Sequence, residues 1–166
     1  LDRSSAASDV YKRQVRALDN KKNNQKDNAR YPLFKAHSAE RVLIVGGGNS
    51  CLVHQQAVKQ FAALIPSMPL IFVTSRYAAL YNDLSNPKYY CLVGNEAKRL
   101  SRNVSEKDFN GVCLLAPYPR RMGTEVPPYA ERLTYELDNI TFTHSYLDSC
   151  TTLALQAAIA MEAKEV

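Results

Sequence analysis

The feature that most constrains the fold is an alternation of short apolar runs with helical segments between residues 41 and 116. Four such runs, at 41–45, 70–74, 89–93 and 112–116, are rich in Val, Ile, Leu and Tyr, and each is bounded by turn residues. Runs of this length and composition are typical of strands that are buried on both sides. The regular alternation with helices predicts a parallel sheet.

The spacing of apolar residues predicts helices over 52–65, 77–84 and 96–101, and another that begins at Asp148 or Ser149 and ends at 163. A long proline-rich loop is expected at 117–128 and a fifth strand at 140–143. Residues 164–166 look like the opening of a sixth strand, so we expect the domain to be truncated there. The fold class predicted is α/β, a three-layer Rossmann-like parallel sheet with helices on both faces.

The length of the chain and the distribution of its charge indicate one domain, which begins near residue 40. The 166 residues suit one domain, and no apolar stretch approaches the ~20 residues of a membrane span. Residues 1–40 hold nine Lys and Arg against five Asp and Glu, which is +4 of the net charge of +5, so the folded part is nearly neutral and nucleic acid is not an expected partner. We interpret 1–14 as an artefactual leader that resembles translated sequencing adapter, 15–39 as a polar linker and 40–166 as an incomplete α/β domain.

The four cysteines predict free thiols in a cytoplasmic protein. Cys51, Cys91, Cys113 and Cys150 form no CxxC pair, and no histidine stands at zinc-ligand spacing, so no metal site is expected. The sequence shows no secretory signal, which favours a reducing compartment. Cys91 and Cys113 fall within apolar runs and are expected to be buried. Cys51 and Cys150 remain open as nucleophiles.

The strongest site signal is a glycine loop after the first strand, formed by Gly46, Gly47, Gly48, Asn49 and Ser50. Glycines at this point let backbone N–H groups approach an anion. The dinucleotide pattern GxGxxG is incomplete, because Cys51 takes the place of the third glycine and no acidic residue follows the second strand. A mononucleotide or another phosphorylated ligand therefore remains open, and so does a tight turn without a ligand.

Further candidates follow the other strands, because ligands of parallel sheets bind at the carboxyl ends of the strands. Ser75 and Arg76 follow the second strand, where arginine suits a phosphate or a carboxylate and a solvated arginine is the alternative. The remaining ligand candidates are Gly94, Asn95 and Glu96 after the third strand and Arg120 and Arg121 after the fourth. His144 after the fifth is a candidate for general acid–base catalysis.

Residues from about 31 to 166 resemble the C-terminal domain of a two-domain bacterial aldolase-family protein. The matching segments are 42–50, 74–76, 89–96, 116–124 and 153–158. The catalytic barrel of that family is of the hydroxymethylglutaryl-CoA lyase and 4-hydroxy-2-oxovalerate aldolase type. The resemblance implies a parent carbon–carbon lyase whose barrel holds a divalent metal.

No metal motif of such a barrel occurs in this chain, so the resemblance implies an accessory domain that is not catalytic alone and has no cofactor of its own. Its expected partners are a small anionic ligand, phosphorylated or nucleotide-like, and the catalytic domain on which it packs. The spacing Gly46-x-Gly48-x-Ser50 is also similar to nucleotide-binding domains of the bacterial sialyltransferase type. Those domains carry proline before the serine, where Asn49 stands here. A nucleotide-sugar transferase is therefore the alternative.

Overall fold

A parallel sheet of five strands forms the centre of the molecule. The computed structural model describes residues 26, 29–105, 107–116, 130–133 and 149–166. Within them the strands lie side by side in chain order and all run parallel. They are β1 (Leu43–Val45), β2 (Leu70–Phe72), β3 (Lys88–Leu92), β4 (Val112–Leu115) and β5 (Ala130–Arg132).

Helices cover both faces of this sheet. They are α1 (Ser50–Val53), α2 (Gln55–Leu64), a 3-10 helix (Ser75–Tyr81), α3 (Glu96–Asn103) and α4 (Cys150–Ala160). The first three crossovers advance in one direction across the sheet, so right-handed connections place α2, the 3-10 helix and α3 on the same face. Helix α4 packs on the opposite face. The predicted three-layer Rossmann-like α/β fold is confirmed.

The first apolar layer is a row of side chains that runs across all five strands. The register places Val45 beside Phe72, Tyr90, Cys113 and Ala130 in turn. The rings of Phe72 and Tyr90 stack with their centroids 5.1 Å apart. The first-face helices cover this row with Ala62, Ala78 and Leu100. Each fully buried large side chain of such a layer contributes about 1.5–3 kcal/mol to folding.

The opposite face carries a second apolar layer. Ile71 and Leu114 lie under α4, which contributes Leu153 and Ala157 to the contact. Phe34 also packs here, with its ring edge-on to Tyr89 at 5.6 Å. Because both faces are covered, the central strands are apolar at nearly every position, as the continuous runs in the sequence predicted.

The packed domain begins earlier than the predicted boundary at residue 40. Tyr31 and Phe34 are buried, and Leu33 pairs with Arg132 in a parallel bridge at the outer side of β5. Two backbone hydrogen bonds hold this bridge, at 2.8 Å and 2.9 Å. The end of the predicted linker, 31–39, therefore belongs to the fold, because its aromatic side chains are buried in the two layers.

The last residues of the chain pair with the sheet at its other edge. Glu165 forms a parallel bridge with Arg41, and the N–H of Val42 donates to the carbonyl of Glu165 at 3.0 Å. The predicted sixth strand thus occurs as a single bridge beside β1. The predicted loop at 117–128 and strand at 140–143 lie outside the described residues, and β5 was not predicted. Among the described residues, no helix has the length and apolar character needed to cross a membrane.

Candidate functional site

The carboxyl ends of β1, β2 and β3 bring three predicted segments to one edge of the sheet. These segments are 46–50, 75–76 and 94–96. Adjacent parallel strands end at the same edge, so residues far apart in the chain become neighbours there. Gly47 of the first segment lies against Thr74, the residue before the second segment, and the Ser75 N–H donates to Glu96 of the third.

The glycine loop leaves its backbone donors free. The N–H groups of Gly47, Gly48, Asn49 and Ser50 donate to no acceptor among the described residues. The carbonyl of Gly48 accepts from the N–H of Cys51 at 3.0 Å, which begins the first helical turn. Asn49 at the start of α1 is exposed and makes no side-chain cap to this helix. Four consecutive unpaired N–H groups on an accessible loop suit an anionic ligand.

Only one of the three glycines is required by its neighbours. A Cβ atom at Gly47 would lie 2.5 Å from the Thr74 methyl group, so a larger residue there would push the two loops apart. A Cβ atom at Gly46 would meet nothing within 4 Å, and one at Gly48 would meet only the Ser50 hydroxyl at an ordinary 3.5 Å. The contact with Thr74 therefore explains the glycine at position 47, whereas packing does not explain Gly46 and Gly48.

Arg76 stands at the start of the 3-10 helix, two residues after Thr74, which lies against the glycine loop. The Thr74 hydroxyl accepts a hydrogen bond from the Arg76 N–H at 3.4 Å and caps the helix. The Arg76 guanidinium is exposed and lies 5.1 Å from the centre of the Tyr77 ring. Arg76 takes part in none of the ion pairs between described residues. Its charge is therefore available to a ligand.

Glu96 and Ser75 connect the loops that follow β2 and β3. Glu96 is 7% exposed, and its carboxylate accepts from the Ser75 N–H at 3.2 Å and from Arg99 at 2.6 Å. The Ser75 hydroxyl lies 3.2 Å from the Asn103 amide, which donates to it. Sequence reasoning missed Arg99 and Asn103, although both follow Glu96 at helical spacing. With these partners, Glu96 and Ser75 position the backbone at this edge.

The turn after β3 contains two more of the predicted ligand-binding residues. Gly94 has a φ of 61°, in the left-handed region that glycine adopts without strain. Asn95 is exposed and makes no side-chain cap at the start of α3. Asn95 is thus the member of this segment whose side chain faces solvent.

Three of the cysteines, Cys91, Cys113 and Cys150, have pKa values that burial raises. All four cysteines are free, and Cys150 at the start of α4 lies with its sulfur 3.5 Å from the Cys91 carbonyl. Burial raises the pKa of Cys150 to about 11 and that of Cys113 to about 12, and it raises the pKa of Cys91 as well. A thiol with so high a pKa is a poor nucleophile at neutral pH. Cys51 is partly exposed and donates to the Gly46 carbonyl at 3.3 Å.

The remaining site predictions lie elsewhere in the chain. Arg120, Arg121 and His144 are outside the described residues, so their roles stay predictions. Within the described residues, no group of three His, Cys, Asp or Glu side chains could hold a metal ion.

The fold is that of a three-layer α/β protein, and a glycine loop follows its first strand. Comparison with protein-family models found no match, and comparisons with curated proteins and with solved structures found none either.

Proposed function

We propose that this chain is an accessory α/β domain that binds the phosphate of a phosphorylated or nucleotide-like ligand at its glycine loop. The observation that carries the proposal is the run of N–H groups from Gly47 to Ser50 that donate to no acceptor in the described part of the chain. Backbone N–H groups that lack a protein acceptor on an exposed loop can stabilise an anion.

The two glycines that packing does not explain support the same conclusion. Open space surrounds the positions that a Cβ atom would take at Gly46 and Gly48. A ligand that approaches the backbone closely would use this space, and a side chain would obstruct it. Arg76 supports an anionic ligand because its guanidinium has no carboxylate partner among the described residues.

Binding is tested by thermal unfolding of the full chain with inorganic phosphate, pyrophosphate and ATP. A ligand at a hundred times its Kd should stabilise the fold by about 2.7 kcal/mol. Gly48→Val should keep the unfolding temperature and weaken binding at least about tenfold, since its side chain occupies the ligand's space. Ser67→Val, on an exposed turn after α2, is the matched control and should bind normally. Equal binding by both variants would contradict the proposal.

The accessory role rests on the resemblance of this chain to the C-terminal domain of aldolase-family proteins. We expect the full 166-residue chain to show no retro-aldol cleavage of 4-hydroxy-2-oxovalerate with added Mg²⁺ or Mn²⁺. Pyruvate release coupled to lactate dehydrogenase is the measurement, with an authentic aldolase as positive control. Turnover by this chain would overturn the accessory role and leave the phosphate site untouched.

A nucleotide-sugar transferase would use the same glycine loop. The two proposals differ in the ligand that they predict. A nucleotide sugar that stabilises the chain more than the corresponding free nucleotide would favour a glycosyltransferase. Equal stabilisation by both would favour a site that recognises the phosphate alone.

A further inference from the structure

Positive charge is concentrated on the two helices that follow β2 and β3. Of the five Lys and Arg residues in α1–α4 and the 3-10 helix, four lie in the 3-10 helix and α3, against one acidic residue, Glu96. The fifth, Lys59 in α2, forms an ion pair with Asp83 at 2.7 Å. Two of the four, Arg76 and Arg99, stand in the first turn of their helices, at the carboxyl edge of the sheet.

The buried carboxylate of Glu96 connects the segments that carry these two arginines. It accepts from the N–H of Ser75, the residue before Arg76, at 3.2 Å and from Nη1 of Arg99 at 2.6 Å. The start of the 3-10 helix is thereby held against the first turn of α3. The Arg99 side chain is 61% exposed, and a guanidinium has five N–H donors, so Arg99 keeps donors for an anion besides Glu96.

The strand order places Arg76 between the glycine loop and Arg99, because these follow β2, β1 and β3 respectively. Thr74 lies against Gly47 and accepts from the Arg76 N–H at 3.4 Å, so the loop and the arginine are close neighbours. Neighbouring strands are about 4.8 Å apart, so an anion beside the two arginines is roughly 5–10 Å from one at the loop. A single phosphate does not span this distance.

We infer that the ligand of this edge is polyphosphorylated, with one phosphate at the glycine loop and a further one at a second subsite formed by Arg76 and Arg99. Arginine donates to phosphate oxygens in a bidentate manner, which suits both side chains to this role. A nucleoside triphosphate supplies phosphates at both places, whereas a nucleoside monophosphate supplies only one. The second subsite rests on the proposed function, because the loop provides the first.

Isothermal titration calorimetry of the full chain with inorganic phosphate and with tripolyphosphate tests the second subsite, at one ionic strength of about 0.1 M. The wild-type chain should bind tripolyphosphate at least about tenfold more tightly than phosphate. Arg76→Gln and Arg99→Gln should each weaken tripolyphosphate binding at least about fivefold and phosphate binding less than about twofold. Gly48→Val should weaken the binding of both ions, because it obstructs the loop.

Arg30→Gln is the matched control. Arg30 is exposed, and its guanidinium lies 5.2 Å from the centre of the Tyr31 ring, as that of Arg76 lies 5.1 Å from the centre of the Tyr77 ring. Arg30 precedes the bridge beside β5, at the far side of the sheet from β1. The substitution removes the same charge from the chain, and it should leave the binding of both ions unchanged.

All three arginines are exposed, so the variants should fold, and circular dichroism checks this. Equal binding of the two ions by the wild-type chain, or a preference for tripolyphosphate that survives both Arg76→Gln and Arg99→Gln, would overturn the second subsite and leave the phosphate site at the loop. An equal loss in Arg30→Gln would also overturn it, in favour of overall charge. Absence of binding by either ion would overturn the proposed function and the second subsite together.

Discussion

Asn86 shows how one polar side chain fixes the end of a helix. Its side chain is 2% exposed, and its Nδ2 atom donates to the carbonyls of Ala62, Ile65 and Met68 at 2.9–3.1 Å. All three acceptors are carbonyls, so the amide nitrogen must point towards them. The sequence alone does not predict this role, because the spacing of residues does not show which distant carbonyls an amide will meet.

Asn86→Ala should lower the free energy of unfolding by about 1–3 kcal/mol, because it removes the buried donor that the Met68 carbonyl uses. Urea denaturation followed by circular dichroism measures the change. Ser85→Ala, at the exposed neighbouring position, should change stability by less than about 0.5 kcal/mol. A similar loss from both variants would mean that the amide does not act through these bonds.

The glycine loop marks the limit of prediction at the level of single residues. Its position after the first strand was evident from the sequence, because three glycines end an apolar run. The separate roles of these glycines were not evident, because the need for Gly47 comes from Thr74, a neighbour that only the folded sheet supplies. Glu96 gives the same lesson, since its bond to the Ser75 N–H spans 21 residues.

Whole elements were more predictable than the contacts of single side chains. The structure confirms four predicted strands and the predicted helices within a few residues, because continuous apolar runs and helical spacing are local signals. Strand β5 was missed because it is only Ala130–Arg132, and two of its three residues are charged. Its neighbours, β4 and the bridge at Leu33, define it as a strand.

Helix α2 shows that periodicity identifies a helix without identifying its buried side. The helix predicted over 52–65 occurs as α1 and α2, and in α2 Phe61 and Leu64 are exposed whereas Ala62 is buried. When both sides of a helix are apolar, the sequence pattern alone cannot select the side that packs on the sheet.

At the scale of the whole molecule, residues from both ends of the domain lie on the second face of the sheet. The strands advance in order from β1 to β5, and the chain returns under α4 to pair Glu165 with Arg41 beside β1. Residues 34–39 also cross the face that α4 covers, and they run from β5 towards β1, against the order of the strands. Residues at both ends of the domain thus complete the second apolar layer, which an apolar pattern read locally does not show.

The buried thiols predict that the domain loses stability in alkali. Burial raises the pKa values of Cys91, Cys113 and Cys150 from 9.0, so the unfolded chain releases these protons at a lower pH than the folded chain. The unfolded state then binds fewer protons, and the free energy of unfolding falls as the pH rises above about 9. Buried Tyr90, with its pKa raised to about 12, adds to the fall above about pH 10. Each group contributes up to about 1.4 kcal/mol per pH unit.

Lys88 has the opposite effect on the free energy of unfolding over part of this pH range. Its ammonium donates to the carbonyls of Leu84 and Asn86, and burial lowers its pKa from 10.5. As the pH rises, the folded chain loses this proton before the unfolded chain does. The free energy of unfolding therefore rises with pH between the pKa of Lys88 in the folded chain and 10.5. One lysine does not offset three thiols. Urea denaturation between about pH 8 and about pH 11 should show a net fall, less steep in Cys113→Ala, and a flat profile would contradict the burial of the thiols.

The central claim is that an anion binds the free backbone donors of the glycine loop. Its most direct test is a phosphate titration of the ¹⁵N-labelled full chain, in which NMR follows each backbone amide. The resonances of Gly47, Gly48, Asn49 and Ser50 should shift and saturate together, with a smaller shift at Arg76 and none on the exposed turn at Ser67. Saturation that leaves these four amides unmoved, or no saturable shift at all, would contradict the claim.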